Sequence, residues 1–266
     1  MRLAVVQVRD VDPEVPARAA HCLATLQTCA DAGAGLAVFP EFYLGGPLLD
    51  ERLGLKAEQA ERALGRLQAA VDGLGLSAVL GAPLRHGAAL LDGVVALQPG
   101  RPAGVYAKTH LFREERQWFA AGRDLWTGEL AGWPCGILVC YELGFPEIAR
   151  VLALRGARLL LAPAAFGARR RHIWRAATVA RALENGCYLA AANHAGPGSA
   201  GELLGESCIL DPRGAALATA GDGDEILYAD LDGALVDTVR AGDDGGHLYF
   251  ADRRPELYGD LSLPAE

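Results

Sequence analysis

The sequence contains very little lysine. Only two of its 25 basic residues are lysine, Lys56 and Lys108, and the rest are arginine. A compact ammonium can meet a single developing oxyanion in a tight pocket, which a planar guanidinium does less well. Lys56 lies in the polar lead-in to a predicted helix, so we expect an ordinary surface cation there. Lys108 lies between an apolar strand and Leu111–Phe112, and solvation alone does not explain it.

Cysteine is also scarce. Six cysteines in 266 residues are too few for a disulfide scaffold, no Cys-x-x-Cys pair is present, and no His/Cys cluster has the spacing of a zinc site. We therefore expect no metal. Most of these thiols are predicted to be small buried hydrophobes: Cys22, Cys29, Cys135, Cys187 and Cys208. Cys140 needs a separate argument.

Long apolar runs and a basic surface are missing as well. No apolar stretch reaches the roughly 18–20 residues that span a bilayer. The net charge of −8 argues against a nucleic-acid-binding surface. Nothing at the N-terminus resembles a signal peptide. We therefore expect a cytoplasmic protein with neither nucleic-acid nor membrane partners.

Hydrophobic patterns alternate between strand and helix along the whole chain. Helices are predicted at 15–32, 57–71, 146–155 and 172–184. Strands are predicted at 3–8, 36–39, 77–81, 88–97, 103–107, 135–139, 159–163, 188–193, 206–210, 215–218 and 226–231. This alternation indicates an α/β fold with mixed sheets covered by helices. Two similar halves suggest two sheets packed face to face. No linker divides the chain, so we expect a single domain, 1–266, with a polar, irregular tail from about residue 240.

Cys140 follows the buried strand predicted at 135–139, and the chain restarts as a helix at Gly144–Pro146. A nucleophile at such a turn is exposed at the sheet edge beside backbone N–H groups that can receive an oxyanion. The alternative is a buried strand-end cysteine. At ~4 Å and an effective dielectric near 20, Lys108 would attract a thiolate by roughly 4 kcal/mol. That would lower the thiol pKa by at most about three, less the effect of any neighbouring carboxylate.

Glu41 completes the candidate set. It follows Val38-Phe39-Pro40 and is predicted to lie at the edge of the core. A carboxylate there could take the thiol proton, return it to a leaving amine and later deprotonate a water molecule. An ordinary loop glutamate is the alternative.

With these three residues in place, the chain resembles the nitrilase superfamily of carbon–nitrogen hydrolases. The similarity runs in the family's order over nearly the whole chain. It is carried by Phe39–Glu41, Tyr106–Phe112, Glu115–Gly122, Cys140–Glu147, Ala180–Asn185 and Gly205–Gly214. The resemblance implies a four-layer αββα sandwich and a catalytic Glu41, Lys108 and Cys140. It places the accessory glutamate at Glu115, with Glu114 as the alternative.

The same resemblance implies hydrolysis of a small aliphatic amide, without a cofactor, through a Cys140 thioester whose oxyanion is held by Lys108 and the Tyr141 N–H. An N-carbamoyl-amine hydrolase and a nitrilase are alternatives with the same triad. Candidate pocket walls flank the catalytic segments: Phe42, Tyr43, Phe112, Trp118, Tyr141 and Phe166. The basic run 169–172 either binds a substrate carboxylate or is a solvated lead-in to a helix.

Readings from other classes also remain open. One is a catalytically silent binding or scaffold subunit, and another is an acyltransferase that uses the same thioester. The family also suggests a homodimer or higher homo-oligomer, with Tyr249, Phe250 and Tyr258 of the tail as an interface element.

Overall fold

A computed structural model describes residues 1–9, 14–198, 201–242, 245 and 247–262. In these residues there are six α-helices: α1 Val15–Asp31, α2 Leu53–Leu74, α3 Glu115–Trp118, α4 Pro146–Leu154, α5 Arg171–Leu183 and α6 Gly233–Ala241. The strands in the same part of the chain are β1 Arg2–Arg9, β2 Leu36–Val38, β3 Ser77–His86, β4 Ala89–Gln98, β5 Arg101–Ala107, β6 Thr127–Leu130, β7 Trp133–Ile137, β8 Leu159–Ala164, β9 Tyr188–Gly198, β10 Gly201–Leu204, β11 Cys208–Leu210, β12 Ala216–Thr219 and β13 Glu225–Asp230.

The strands form one curled, mixed sheet in the order β5-β4-β3-β2-β1-β9-β8-β7-β6. β13 pairs with β1, β10 and β11 pair with β9, and β12 pairs with β11. The two halves of the sheet join where the end of β1 meets β9, through Val8 opposite His194 and Arg9 opposite Ala195. The predicted mixed α/β class is confirmed, and the halves are linked by hydrogen bonds rather than separate.

Amphipathic helices cover the half of the sheet that contains β1. On α1 the buried residues recur at three- and four-residue steps, including Ala19, Cys22, Leu26 and Cys29. They pack with the β1 residues Ala4, Val6 and Val8 and with α2 in one hydrophobic cluster. None of the helices in the described part of the chain is long and apolar enough to cross a membrane.

Most predicted elements are present, with differences at their ends. α2 and β3 are longer than expected, and the short β6, β10 and α6 were not predicted because they are rich in glycine or lack a long periodic pattern.

The prediction that Lys56 is a surface cation is wrong. Lys56 is only 4% exposed within α2, and its Nζ donates a hydrogen bond to the Leu48 carbonyl, so it is not a surface cation.

The topology brings several segment ends to one edge. β1, β2 and β3 run parallel, as do β7, β8 and β9, so the carboxyl ends within each set meet. Glu41 follows β2, Cys140 follows β7 and Ala165 follows β8, while Lys108 follows β5.

Candidate active site

The ammonium of Lys108 is the centre of the candidate site. Its Nζ lies 2.6 Å from Glu41 Oε1, 2.7 Å from Glu115 Oε2 and 3.1 Å from Asp92 Oδ2. The lysine is 1% exposed. Burial alone would lower the pKa of Lys108, but the attraction of Glu41, Asp92, Cys140 and Glu115 raises it well above its usual range. The lysine therefore stays charged.

Glu41 is held by one side-chain donor and one backbone donor, which come from opposite halves of the sheet. Its Oε1 accepts from Lys108, and its Oε2 accepts from the Ala165 N–H at 2.8 Å. Gly81 on β3 explains how the segment fits, because a Cβ at this position would lie 2.6 Å from the Glu41 Cα. Only glycine lets the chain after β2 pack so closely on β3.

Cys140 begins a 3-10 turn over Cys140–Gly144, directly before α4. Its φ is +48°, a left-handed conformation that is uncommon for a residue with a Cβ. Such strain costs of order 1–3 kcal/mol and clusters at functional sites. A sharp strand-to-helix turn of this kind is one that can present a nucleophile.

The Cys140 thiol lies within electrostatic range of Glu41, Lys108 and Glu115 and near the Ala165 N–H. Burial raises the pKa of this thiol well above its usual range, Glu41 adds to the rise, and Lys108 opposes it. The sequence had suggested that Lys108 could hold a thiolate at neutral pH. That expectation fails because burial of the sulfur and the charge of Glu41 outweigh the attraction of Lys108 and keep the pKa of the thiol raised. These surroundings favour the neutral thiol, so a base would have to take its proton.

The two neighbouring glutamates differ clearly. Glu115 is buried, and its Oε2 accepts from both Lys108 Nζ and the Phe112 N–H, each at 2.7 Å. Glu114 is exposed. Burial and then Glu41 raise the pKa of Glu115, while Lys108 opposes the rise. Of the pair, Glu115 is the residue in contact with the lysine.

Asp92 was missed by the sequence analysis. It lies on β4, is 1% exposed, and neither of its carboxyl oxygens has a well-aligned hydrogen-bond partner among the described residues. Burial raises the pKa of Asp92 well above its usual range; Lys108 opposes this, and Glu41 and Glu115 add to it. The available signal was an aspartate inside the apolar run Leu90-Leu91-Asp92-Gly93-Val94.

Glu142 was also overlooked, although it lies within a matching motif. Its carboxylate accepts from Tyr106 Oη at 2.8 Å, Thr109 Oγ1 at 2.6 Å, the Thr109 N–H at 2.7 Å and the Val139 N–H at 2.7 Å. Burial alone would raise the pKa of Glu142, but hydrogen bonds outweigh it and lower the pKa. Glu142 thereby ties the lysine segment to the cysteine turn.

Three carboxylates close together can suggest a metal site. One oxygen each from Glu41, Asp92 and Glu115 lies within 4.8 Å of the others. Lys108 Nζ is within 3.1 Å of all three side chains. The ammonium therefore already occupies the place that a cation would take, and these residues do not fit a metal.

Most of the residues predicted to line the pocket lie near the candidate catalytic residues, but one of them lies elsewhere. The Phe112 and Tyr141 rings lie 5.0 Å apart, and Trp118 packs on a small cluster that contains Phe42 and Phe119. Phe166 follows Ala165 and is also buried near the site. Tyr43 is not with them: it is fully buried in the cluster under α1, and its hydroxyl bonds His21 Nδ1 at 2.8 Å.

The sequence pattern of the carbon–nitrogen hydrolase family matches residues 2–241. The chain belongs to this family. A Pseudomonas protegens protein named "Hydrolase in pqqF 5'region" is 36% identical over 270 residues, covering 98% of this chain and 92% of that protein. The deaminated glutathione amidase of Escherichia coli is 32% identical over 231 residues, covering 83% of this chain and 86% of that protein.

A solved structure agrees with these relatives. It is an amidase of Nesterenkonia sp. AN1 in which acrylamide has added to the active-site cysteine. It matches with a TM-score of 0.84 and 26% identity over 98% of this chain and 99% of that one. The resemblance to the nitrilase superfamily is confirmed, and this carbon–nitrogen hydrolase is an amidase-type enzyme.

Proposed function

We propose that this carbon–nitrogen hydrolase converts a small aliphatic amide to a carboxylic acid and ammonia through a thioester on Cys140. The observation that carries the proposal is the buried Lys108 ammonium, held 2.6 Å from Glu41 and 2.7 Å from Glu115 and within electrostatic range of the Cys140 thiol. A charged lysine, a base and a neutral thiol in one enclosed site are the parts that acyl transfer from an amide requires.

In the first step, Glu41 accepts the thiol proton as the Cys140 sulfur bonds to the amide carbon. Lys108 and the Tyr141 N–H stabilise the resulting oxyanion, and one such donor typically contributes roughly 3–4 kcal/mol to transition-state stabilisation. Glu41 then returns the proton to the amide nitrogen, the C–N bond breaks, and ammonia leaves. Glu115 keeps Lys108 in position.

In the second step, Glu41 takes a proton from water, and the hydroxyl attacks the thioester carbon. The C–S bond breaks, the sulfur recovers the proton, and the carboxylic acid is released. The raised pKa of the thiol supports this scheme, because Cys140 needs Glu41 as a base and leaves the product as a neutral thiol.

Ammonia release from short amides tests the proposal, with N-carbamoyl amines and nitriles as the alternative substrates. We expect wild-type enzyme to release ammonia fastest from amides, and Cys140→Ser to fold and be inactive. Hydrolysis retained by Cys140→Ser would point to another nucleophile. A silent binding subunit would process none of the three classes, and an acyltransferase would release ammonia only with an added acceptor.

We also propose an architecture and an oligomeric state for this chain. We infer one domain with an αββα sandwich, since one core cluster contains residues from both halves of the sheet, such as Val5 and Val38 with Ile137 and Leu161. We also infer a homo-oligomer that uses the tail, where Tyr249, Leu257 and Leu261 are at least half exposed. Sedimentation of the full chain and of a chain ending at residue 242 would test the role of the tail.

A further inference from the structure

Arg170 differs from the other arginines of its run. It is half-buried at the end of the 3-10 turn that leads into α5. Its guanidinium carbon lies over two aromatic rings, 4.3 Å from the centroid of Phe112 and 4.7 Å from that of Phe166. Stacking on ring faces leaves the N–H edge of a guanidinium free for in-plane hydrogen bonds.

No carboxylate in the described part of the chain pairs with Arg170. Its neighbour Arg171 is 2.9 Å from Glu206, and Arg175 is 2.7 Å from the same residue. Arg169 is exposed. The stacked guanidinium is therefore the one in this run that is both held in position and open to an external anion.

Both rings that hold Arg170 adjoin the candidate active site. Phe112 contacts the ring of Tyr141, the residue after Cys140, at 5.0 Å. Phe166 follows Ala165, whose N–H donates to Glu41 Oε2. The guanidinium consequently lies against two rings, Phe112 and Phe166, whose neighbours along the chain or in space contact or adjoin the candidate catalytic residues.

The charge distribution indicates how a substrate would be oriented in the site. Three carboxyl groups surround a single ammonium inside the site, so a substrate carboxylate would be repelled near Cys140. Beyond the Phe112 and Phe166 rings, the same carboxylate would meet the fork of donors on Arg170, which matches carboxylate geometry. An amide at one end of a substrate and a carboxylate at the other fit this arrangement.

We propose that Arg170 is a specificity-determining residue that binds the carboxylate of an ω-amide acid while its amide carbon lies at Cys140. This inference rests on the proposed amide hydrolysis and narrows its substrate class. Arg113 is the rival cation, since its guanidinium carbon lies 5.1 Å from the Phe112 centroid, but Arg113 is exposed and stacks on one ring among the described residues, where Arg170 stacks on two.

The test uses amides of four to six carbons that end in a carboxylate, each paired with the alkyl amide of equal length. The readout is the ratio of kcat/KM for the charged amide to kcat/KM for the alkyl amide, which corrects for any general loss of activity. Arg170→Leu should lower this ratio by about tenfold to hundredfold, mainly through the KM of the charged amide. Arg170→Lys should retain part of the preference for the charged amide. Arg169→Leu and Arg113→Leu should leave the ratio within about twofold of the wild-type value.

A binding measurement separates this inference from the proposed function. Calorimetry on Cys140→Ala should show tight binding of the charged amide that is lost in Cys140→Ala/Arg170→Leu. If wild-type enzyme hydrolyses no amide, the proposed function fails and this titration alone decides the role of Arg170. An unchanged ratio and unchanged binding in the Arg170→Leu variants, or a loss that follows Arg113→Leu instead, would overturn the inference.

Discussion

The carboxyl groups of Glu142 and Asp92 are both fully buried near the segment around Lys108, but their surroundings differ. Glu142 accepts four hydrogen bonds shorter than 2.9 Å from three residues, and the pKa of Glu142 is lowered. Asp92 has no well-aligned donor among the described residues, and the pKa of Asp92 is raised. Burial opposes the charge on both groups. Hydrogen-bond donors outweigh it at Glu142, whereas the like charges of Glu41 and Glu115 add to it at Asp92.

The difference also separates two tasks. The ionised Glu142 holds the lysine segment against the cysteine turn, which is a positioning task. The raised pKa of Asp92 favours its protonated form, which would lower the number of negative charges around Lys108 and leave Glu41 and Glu115 as the charged partners of the ammonium. Four variants test how these buried charged and neutral groups contribute, and they follow in order of decreasing expected effect.

Lys108→Arg should produce the largest loss, about a thousandfold in kcat, with the fold retained. A guanidinium cannot place one compact charge within 3.1 Å of three carboxyl groups and also meet an oxyanion. Lys56→Arg is the matched control, since it makes the same change at a buried lysine away from the site and should leave kcat within about threefold. Near-normal steady-state rates for Lys108→Arg would refute the role of the compact ammonium.

Glu142→Gln should destabilise the protein by about 3–5 kcal/mol and lower kcat/KM by at least about a hundredfold. Each carboxylate oxygen faces a backbone N–H, from Thr109 or from Val139, so the amide NH2 must meet a donor in either orientation. Chemical denaturation and steady-state kinetics measure both effects. The exposed Glu147→Gln is the control and should change stability by less than about 0.5 kcal/mol.

The lowered pKa of Glu142 also predicts a pH dependence. A carboxyl group with a lowered folded pKa contributes stability above its unfolded pKa of about 4.3 and loses it as the pH falls. The deficit of Glu142→Gln should therefore be largest at neutral pH and shrink in acid. A deficit independent of pH would show that packing, not charge, is what Glu142 supplies.

His194 extends the comparison to a buried base. Its Nε2 donates to the Glu41 carbonyl at 2.7 Å, and Nδ1 has no hydrogen-bond partner in the described residues. Burial, and then Arg18, lower the pKa of His194 to about 3. Stability from the neutral ring is present above its unfolded pKa of about 6.5 and is lost as the pH falls towards 3, by roughly 4–5 kcal/mol at most.

His194→Gln keeps an N–H donor for the Glu41 carbonyl but does not titrate. The free energy of unfolding of wild type should fall relative to this variant between pH 6.5 and pH 3. Parallel pH profiles for the two proteins would contradict the assignment of a neutral, unpaired Nδ1.

Asp92→Asn should have the smallest effect, a change in kcat/KM of less than about threefold. An amide resembles a protonated carboxyl group in size and charge, so the surroundings of Lys108 stay the same. Because the pKa of Asp92 is raised, wild type loses stability as the pH rises above the unfolded pKa of about 3.9, and the variant does not.

The variant should thus gain stability relative to wild type between pH 4 and pH 7, the opposite slope to Glu142→Gln. A hundredfold loss of activity in Asp92→Asn would show instead that Asp92 acts as an ionised group.

Sequence reasoning located residues that directly follow apolar strands. Glu41, Cys140 and Lys108 each come within three residues of a strand end, and parallel strands bring such ends together. Asp92 lies inside a strand, where the sequence does not reveal which face a side chain takes. Glu142 was visible in the motif, but its donors come from Tyr106 and Thr109, more than 30 residues away.

Tyr43 shows a different limit of sequence reasoning. It was expected in the pocket because it lies two residues after Glu41. In the structure Phe42 has a φ of +53°, which redirects the chain. The centroid of the Phe42 ring then lies 5.9 Å from Lys108 Nζ, while Tyr43 packs under α1. Proximity in sequence did not predict direction in space. Lys56 was misjudged for the same reason, since its burial depends on contacts between α2 and the loop before it.

Rapid-quench mass spectrometry during amide turnover tests the central claim most directly. Wild-type enzyme mixed with substrate should gain the mass of one acyl group less one hydrogen, located on the peptide that contains Cys140. The adduct should form and decay at rates compatible with steady-state turnover, and Cys140→Ala should show neither adduct nor hydrolysis. Turnover with Cys140 unmodified throughout, together with hydrolysis by Cys140→Ala, would contradict a thioester at this residue.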